Sequence, residues 1–142
     1  MKVPAKPEVG QVIRYGYVWH REHAEGQENA RKDRPCAVVL TVNEGKGGIT
    51  TLVVPITHTE PQNDVAAIQI PLATGKRLGL DGEQSWVIVS ELNIFVWPGY
   101  DLALVEGTDS PVYGLLPPAL YDIIKRRALE EIAARRVKNV RR

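Results

Sequence analysis

The sequence predicts a small, mainly β barrel followed by a C-terminal α-helix. Short apolar runs with β-branched residues alternate with Gly and Pro turns over the first hundred residues, which is typical of a small barrel. Near the C-terminus the apolar residues recur at helical spacing instead. The length of 142 residues suits one domain, 1–142, with a core of about 9–136 and a basic tail at 137–142.

The first half of the chain predicts a strand, a long loop and a hairpin. Val12–Trp19 is rich in β-branched and aromatic residues and predicts the first strand. His20–Asp33 is polar without periodicity, and loops of this length are usually functional or disordered. Cys36–Val42 and Thr51–Ile56 are short apolar runs on either side of the turn Asn43–Gly48, so they predict a hairpin.

Three more strands and one helix complete the prediction. Ala66–Ile70 precedes Pro71 and suits an edge strand. Ser85–Val89 and Asn93–Val96 are predicted to be further short strands. Pro98-Gly99 is predicted to end the second of them with a turn. A helix is predicted from about Pro118 to Arg136, because proline is tolerated in a first turn and apolar residues follow at Leu120, Ile123, Ile124, Ala128 and Ile132.

Composition favours a cytoplasmic protein without a membrane anchor. The chain is 44% apolar and 25% charged, which is ordinary for a globular protein. No signal peptide or membrane-spanning run is visible. The single cysteine, Cys36, excludes an internal disulfide, and within an apolar strand it is expected to be a buried core residue rather than a reactive thiol.

The charge is unevenly distributed along the chain. Residues 119–142 hold eight Lys or Arg and three acids, whereas the whole chain has a net charge of only +1. A basic end on a mildly acidic body suggests a nucleic acid or an acidic partner, although a solvated helix face gives the same pattern.

Polar groups occur where two predicted strands end. Arg34 precedes the strand at Cys36, and Thr57 and His58 follow the strand ending at Ile56. Antiparallel neighbours would bring a guanidinium, a hydroxyl and an imidazole together, which is suitable equipment for binding and cleaving a phosphodiester. The alternatives are an ion pair for Arg34 and a strand-end hydrogen bond for Thr57.

Several short motifs, in this order and spacing, resemble the MazF/PemK (Kid-like) toxins of bacterial toxin–antitoxin systems. The resemblance runs from about Gly10 to Ala134. Its motifs are Gly10-Gln11-Val12, Arg34-Pro35, Ala37–Leu40, Pro55-Ile56-Thr57, Leu78-Gly79-Leu80-Asp81 and Trp86–Val89. The loop before Arg34 is longer and more charged than the Gly-x-Glu-Gln-x-Gly-x-Arg-Pro of familiar members.

This resemblance implies an SH3-like barrel that works as a homodimer. It also implies a growth-inhibiting endoribonuclease that cleaves single-stranded RNA, using the 2′-hydroxyl to attack the adjacent phosphate. The family's catalytic Arg and Ser/Thr correspond to Arg34 and Thr57. A cognate antitoxin protein is the expected partner, and such complexes bind DNA.

The remaining site predictions concern the first loop. His58 is a candidate acid or base because imidazole titrates near neutrality. RNA-binding residues are predicted at His20, His23, Glu28, Arg31 and Lys32. Arg31 and Lys32 are expected to contact the RNA backbone, and the basic tail is expected to matter less. The string His20-Arg21-Glu22-His23 lacks a further ligand for a closed metal site, so neither a metal nor another cofactor is predicted.

Two alternatives belong to other functional classes. A gyrase poison of the CcdB type resembles this family in fold but is expected to have an apolar or Trp-containing C-terminal tip, whereas this sequence ends Val140-Arg141-Arg142. A non-catalytic barrel that binds RNA or protein is the second alternative. Trp86 is expected in the core. For Trp19, both packing in the core and stacking on an RNA base are open alternatives.

Overall fold

The structure is a computed structural model that describes residues 1–21, 32–63 and 65–142. The predicted mainly β fold with a C-terminal helix is confirmed. In chain order the elements are β1 (Gln11–Tyr17), β2 (Lys32–Asn43), β3 (Ile49–Thr57), β4 (Ala67–Ile70), α1 (Leu72–Leu78), β5 (Ser85–Ile88), β6 (Glu91–Trp97), β7 (Val112–Leu115), α2 (Pro118–Ala133) and β8 (Lys138–Arg141). No helix among the described residues is long and apolar enough to cross a membrane.

The strands form one strongly curled sheet, a half-barrel. Its main path runs β4-β5-β3-β2-β1-β7, with β6 on β3 and β8 on β6. Strand β3 produces the curl, because its first half pairs with β6 and its last two residues pair with β5. All pairs of these described strands are antiparallel except β6 with β8. The predicted edge position of β4 is confirmed.

The predicted hairpin is β2 and β3, joined through a short 3₁₀ turn at Gly45–Gly47. Strand β2 begins earlier than predicted, because Lys32 and Asp33 already pair with Tyr17 and Gly16 of β1. Gly48 has φ +85°, and a Cβ there would lie 2.7 Å from Cγ1 of Val96. A side chain at position 48 therefore conflicts with both the turn and the neighbouring strand.

Two apolar clusters cover the sheet. The larger contains Val12, Val54 and Val87 and packs against Ile124 and Ala128 of α2. The second is aromatic, and its members are Ile13, Tyr15, Tyr17, Cys36, Val38, Val53, Phe95 and Trp97. The expected burial of Cys36 is confirmed, and burial raises the pKa of its thiol far above the ordinary value. Such a thiol is a structural residue.

The C-terminal segment differs from the prediction. Helix α2 ends at Ala133 rather than Arg136, because Arg135 takes a left-handed conformation with φ +58°. The supposed basic tail then forms β8, which lies parallel to β6 and buries Val140. Strands β7 and β8 and helix α1 were not predicted, because each is short and is stabilised by partners that are distant in sequence.

Candidate functional site

The structure brings Arg34 and Thr57 together, as predicted. Cys36 pairs with Pro55 across β2 and β3. Two residues further along each strand, Arg34 and Thr57 lie at the same end of the hairpin. Both side chains line two adjoining grooves. The Arg34–Thr57 pair therefore stands at the junction of these grooves.

The grooves differ in their other walls. The first groove has a volume of about 620 Å³, and the residues particular to it include Trp19, Arg21, Ser90, Glu91, Arg136 and Lys138. The second groove has a volume of about 580 Å³, and the residues particular to it include Arg14, Lys32, His58, Asp81 and Tyr113. Both grooves contain cationic groups, and they share the lining residues Arg34, Thr57 and Thr59, so they form a continuous depression.

Among the described residues, the Arg34 guanidinium lies against an aromatic ring. Its Cζ lies 5.1 Å from the centroid of the Trp19 ring. Its Nε is buried and has no hydrogen-bond partner within the described part of the chain. No carboxylate of the described residues pairs with it either, so the ion-pair alternative has no support there. The guanidinium keeps its hydrogen-bonding capacity for an anion.

The Thr57 side chain is oriented by a hydrogen bond at the end of β3. The backbone N–H of Thr59 donates to Thr57 Oγ1 at 3.1 Å. Because this contact uses the hydroxyl oxygen as an acceptor, the hydroxyl proton is left to donate elsewhere. Arg34 and Thr57 therefore both carry hydrogen-bond donors and line the same two grooves.

Both ring nitrogens of His58 face acceptors. Nδ1 lies 2.9 Å from the carbonyl oxygen of Gln84, and Nε2 lies 2.8 Å from Oδ1 of Asp81. The ring is therefore held at both nitrogens, and Nε2 must leave Asp81 before it can exchange a proton with another group.

The predicted RNA-binding residues are only partly described. Lys32 is exposed and lines the second groove. His20 is half-buried, and its backbone N–H donates to Oε1 of Glu91. His23, Glu28 and Arg31 lie outside the described residues, as does Glu22 of the string considered for metal binding.

A different group of possible metal ligands occurs beside the second groove. Ligand atoms of His58, Asp81 and Glu83 lie within 4.8 Å of one another, and all three residues are exposed. Two of them already pair with each other. The absence of a metal from the reaction stays a prediction.

Sequence reasoning missed Glu91, Lys138, Arg14 and Tyr113. Glu91 Oε1 accepts hydrogen bonds from Tyr17 Oη at 3.2 Å and from His20 N–H at 3.1 Å. Burial raises the pKa of the Glu91 carboxyl despite these two donors. Lys138 reaches the first groove only because β8 pairs with β6. Its position in the groove therefore cannot be predicted from the local sequence.

In the second groove, Arg14 lies close enough to Tyr113 to act on its phenol electrostatically. Burial raises the pKa of the Tyr113 phenol, and Arg14 opposes that rise. The two residues come from β1 and β7, which are distant in sequence.

Of the tryptophans, Trp86 differs from its expected place in the core. Trp97 is in the aromatic cluster, where its Nε1 donates to the carbonyl oxygen of Pro4 at 2.8 Å. Trp86 is only half-buried, opposite Thr57 in the register of β3 and β5, and it belongs to neither core. Trp19, for which both core packing and base stacking were considered, packs against the aromatic cluster and also lines the first groove.

Comparison of the chain with protein-family models gives no match, and comparison with curated proteins gives none either. The chemistry of the two grooves is therefore inferred from the geometry of their own residues.

Proposed function

We propose that this chain is a toxin-like, metal-independent endoribonuclease of the MazF/PemK type. The observation that carries the proposal is the Arg34–Thr57 pair at the junction of the two grooves. Arg34 and Thr57 line both grooves, the Arg34 guanidinium has no carboxylate partner among the described residues, and Thr57 has a hydroxyl proton free to donate. These are the groups that a phosphate oxygen requires.

The substrate is a single strand of RNA that lies across both grooves. An extended strand fits a continuous depression, whereas a duplex is recognised mainly through its shape and backbone. The cations Arg21 and Lys138 in the first groove and Arg14 and Lys32 in the second contact the backbone on either side of the junction.

Cleavage uses the RNA's own 2′-hydroxyl. The 2′-hydroxyl gives its proton to solvent and its oxygen attacks the adjacent phosphorus, while the bond from phosphorus to the 5′-oxygen breaks. The products are a 2′,3′-cyclic phosphate and a 5′-hydroxyl. Arg34 and Thr57 stabilise the charge that builds on the non-bridging oxygens. His58, once its Nε2 has left Asp81, supplies the proton that the departing 5′-oxygen needs.

A homodimer, an antitoxin partner and a reducing cytoplasmic compartment belong to the same proposal. Val42 and Val96 flank Thr50 across three neighbouring strands, and each is about 50% exposed. This apolar strip is available to a second copy of the chain. The single buried, unpaired Cys36 is consistent with a reducing environment.

The test is incubation of the purified protein with RNA of mixed sequence in EDTA, followed by mapping of the fragment ends. We expect internal cuts with cyclic phosphate ends. Arg126→Ala serves as the control, because Arg126 is exposed on α2 and lines neither groove. Intact RNA, or cuts that require an added divalent ion, would contradict the proposal. Binding without cleavage would favour the non-catalytic barrel.

A further inference from the structure

We propose that the first groove is a base-recognition subsite, in which Trp19 stacks on one RNA base and Glu91 accepts hydrogen bonds from the edge of that base. This inference rests on the proposed ribonuclease function. It adds what that function leaves open, namely which base is selected beside the cut.

Trp19 and Glu91 are joined into one wall of the groove. The ring of Tyr17 meets the Trp19 ring edge-on at a centroid distance of 5.4 Å, and its hydroxyl donates to Glu91 Oε1. His20 directly follows Trp19, and its backbone N–H donates to the same oxygen. The carboxylate is therefore fixed relative to the indole by two separate contacts.

The second carboxylate oxygen of Glu91 has no hydrogen-bond partner in the part of the chain that the structure describes. Because this oxygen is not among the buried unsatisfied atoms, it is accessible from the first groove, where N–H groups of a ligand can donate to it. Unpaired RNA bases are recognised through such edges. Guanine presents two adjacent N–H donors, so it is the base that this acceptor suits best.

Trp19 supplies the stacking surface. The guanidinium carbons of Arg34 and Arg21 lie 5.1 Å and 5.9 Å from its ring centroid. Arg21 is exposed, so a base can take its place against the indole, since every base has a face that stacks on an aromatic ring. Arg34 contacts the same ring and the proposed scissile phosphate. The recognised base therefore belongs to a nucleotide next to the cut.

The cleavage test uses a random-sequence RNA library and sequencing of the cut ends. We expect wild type to cut beside guanine. Glu91→Gln keeps an oxygen for Tyr17 and His20 but presents an NH₂ group to the base, so the guanine preference should fall about 10-fold. Glu130→Gln removes the same charge from exposed α2 and should leave the preference unchanged. An unaltered preference in Glu91→Gln, or an equal loss of cutting at every sequence, would overturn the proposal.

A binding test separates this inference from the ribonuclease proposal. Four uncleavable oligonucleotides, each with a different base in a uridine context and a 2′-deoxy sugar at the cut, are titrated against the protein. Tightest binding of the guanine oligonucleotide, about 10-fold weaker binding of all four by Trp19→Ala, and near-normal binding by Trp19→Phe would support the subsite even if no RNA is cut. Equal binding of the four bases by wild type would refute it. Thermal melting of each variant checks its folding.

Discussion

The Nε2 atom of His58 lies 2.8 Å from Oδ1 of Asp81, so the residue that follows Thr57 is held against the segment before β5. The pair is largely exposed, and exposed ion pairs contribute little to stability. Under the proposed function the pair matters for the reaction, because Nε2 of His58 must leave Asp81 before it can donate a proton to the RNA.

This pairing predicts a non-additive double mutant. His58→Ala should lower the cleavage rate by roughly 10²-fold, the scale of losing a general acid. Asp81→Asn alone should change the rate because it removes the partner that holds Nε2. In the His58→Ala background, the same substitution should have no further effect, since residues that act as a unit are not additive. Single-turnover cleavage rates on one RNA test this. Additive losses would show that His58 and Asp81 act independently.

Arg34 is expected to dominate the chemistry. Arg34→Ala should reduce cleavage by roughly 10²–10³-fold, the scale of removing one donor to the transition state. Arg34→Lys keeps the charge but loses the planar donor set, so it should recover only part of the rate. Circular dichroism checks the fold of both variants. A purified Arg34→Ala protein that cleaves like wild type would remove Arg34 from the mechanism.

The raised pKa of Glu91 predicts a pH-dependent contribution to stability. Because burial raises this pKa in the folded state above its ordinary value of about 4.5, folded protein binds more protons than unfolded protein between the two values. Stability from this group therefore falls as pH rises through the folded pKa. Glu91→Gln should lack this fall, so its unfolding free energy relative to wild type should increase from pH 4 to pH 8. Urea titrations at several pH values measure the difference, and a constant difference would argue against a raised pKa.

Arg142 is predicted to matter for folding rather than for RNA. Its Nη2 lies 3.0 Å from Asp101 Oδ2, and its Nη1 donates to the carbonyl oxygen of Gly16 at 2.8 Å. Arg142→Ala should cost roughly 3 kcal/mol, because the partly buried Asp101 loses a charged partner. The exposed neighbour Arg141 is the control, and Arg141→Ala should change stability by less than about 0.5 kcal/mol. Chemical denaturation of the two variants compares them, and equal stabilities would contradict the prediction.

Single charge removals map the RNA path better than truncation, because removing β8 also removes Arg142. Lys32→Ala in the second groove and Lys138→Ala in the first should each flatten the plot of log affinity against log salt by roughly 0.7. Arg126→Ala, which lies outside both grooves, should leave the slope unchanged. Titrations with uncleavable RNA at several salt concentrations give the slopes. A flatter slope for Arg126→Ala alone would indicate that the RNA binds along α2 rather than in the two grooves.

Local patterns in the sequence determined the parts of the fold that depend on near neighbours. The hairpin of β2 and β3 follows from two apolar runs around a Gly-rich turn, and α2 follows from Pro118 and helical spacing. The meeting of Arg34 and Thr57 was predictable for the same reason, since the two residues flank one hairpin.

Only the tertiary structure decided the rest of the site. Lys138 and Glu91 are brought side by side by a parallel pairing between β8 and β6, and Arg14 meets Tyr113 through β1 and β7. Strands as short as β7 and β8 carry too few residues for a local pattern to specify them. They form because the curled sheet offers free edges and burial for Val140, a gain that exists only after the distant strands have assembled.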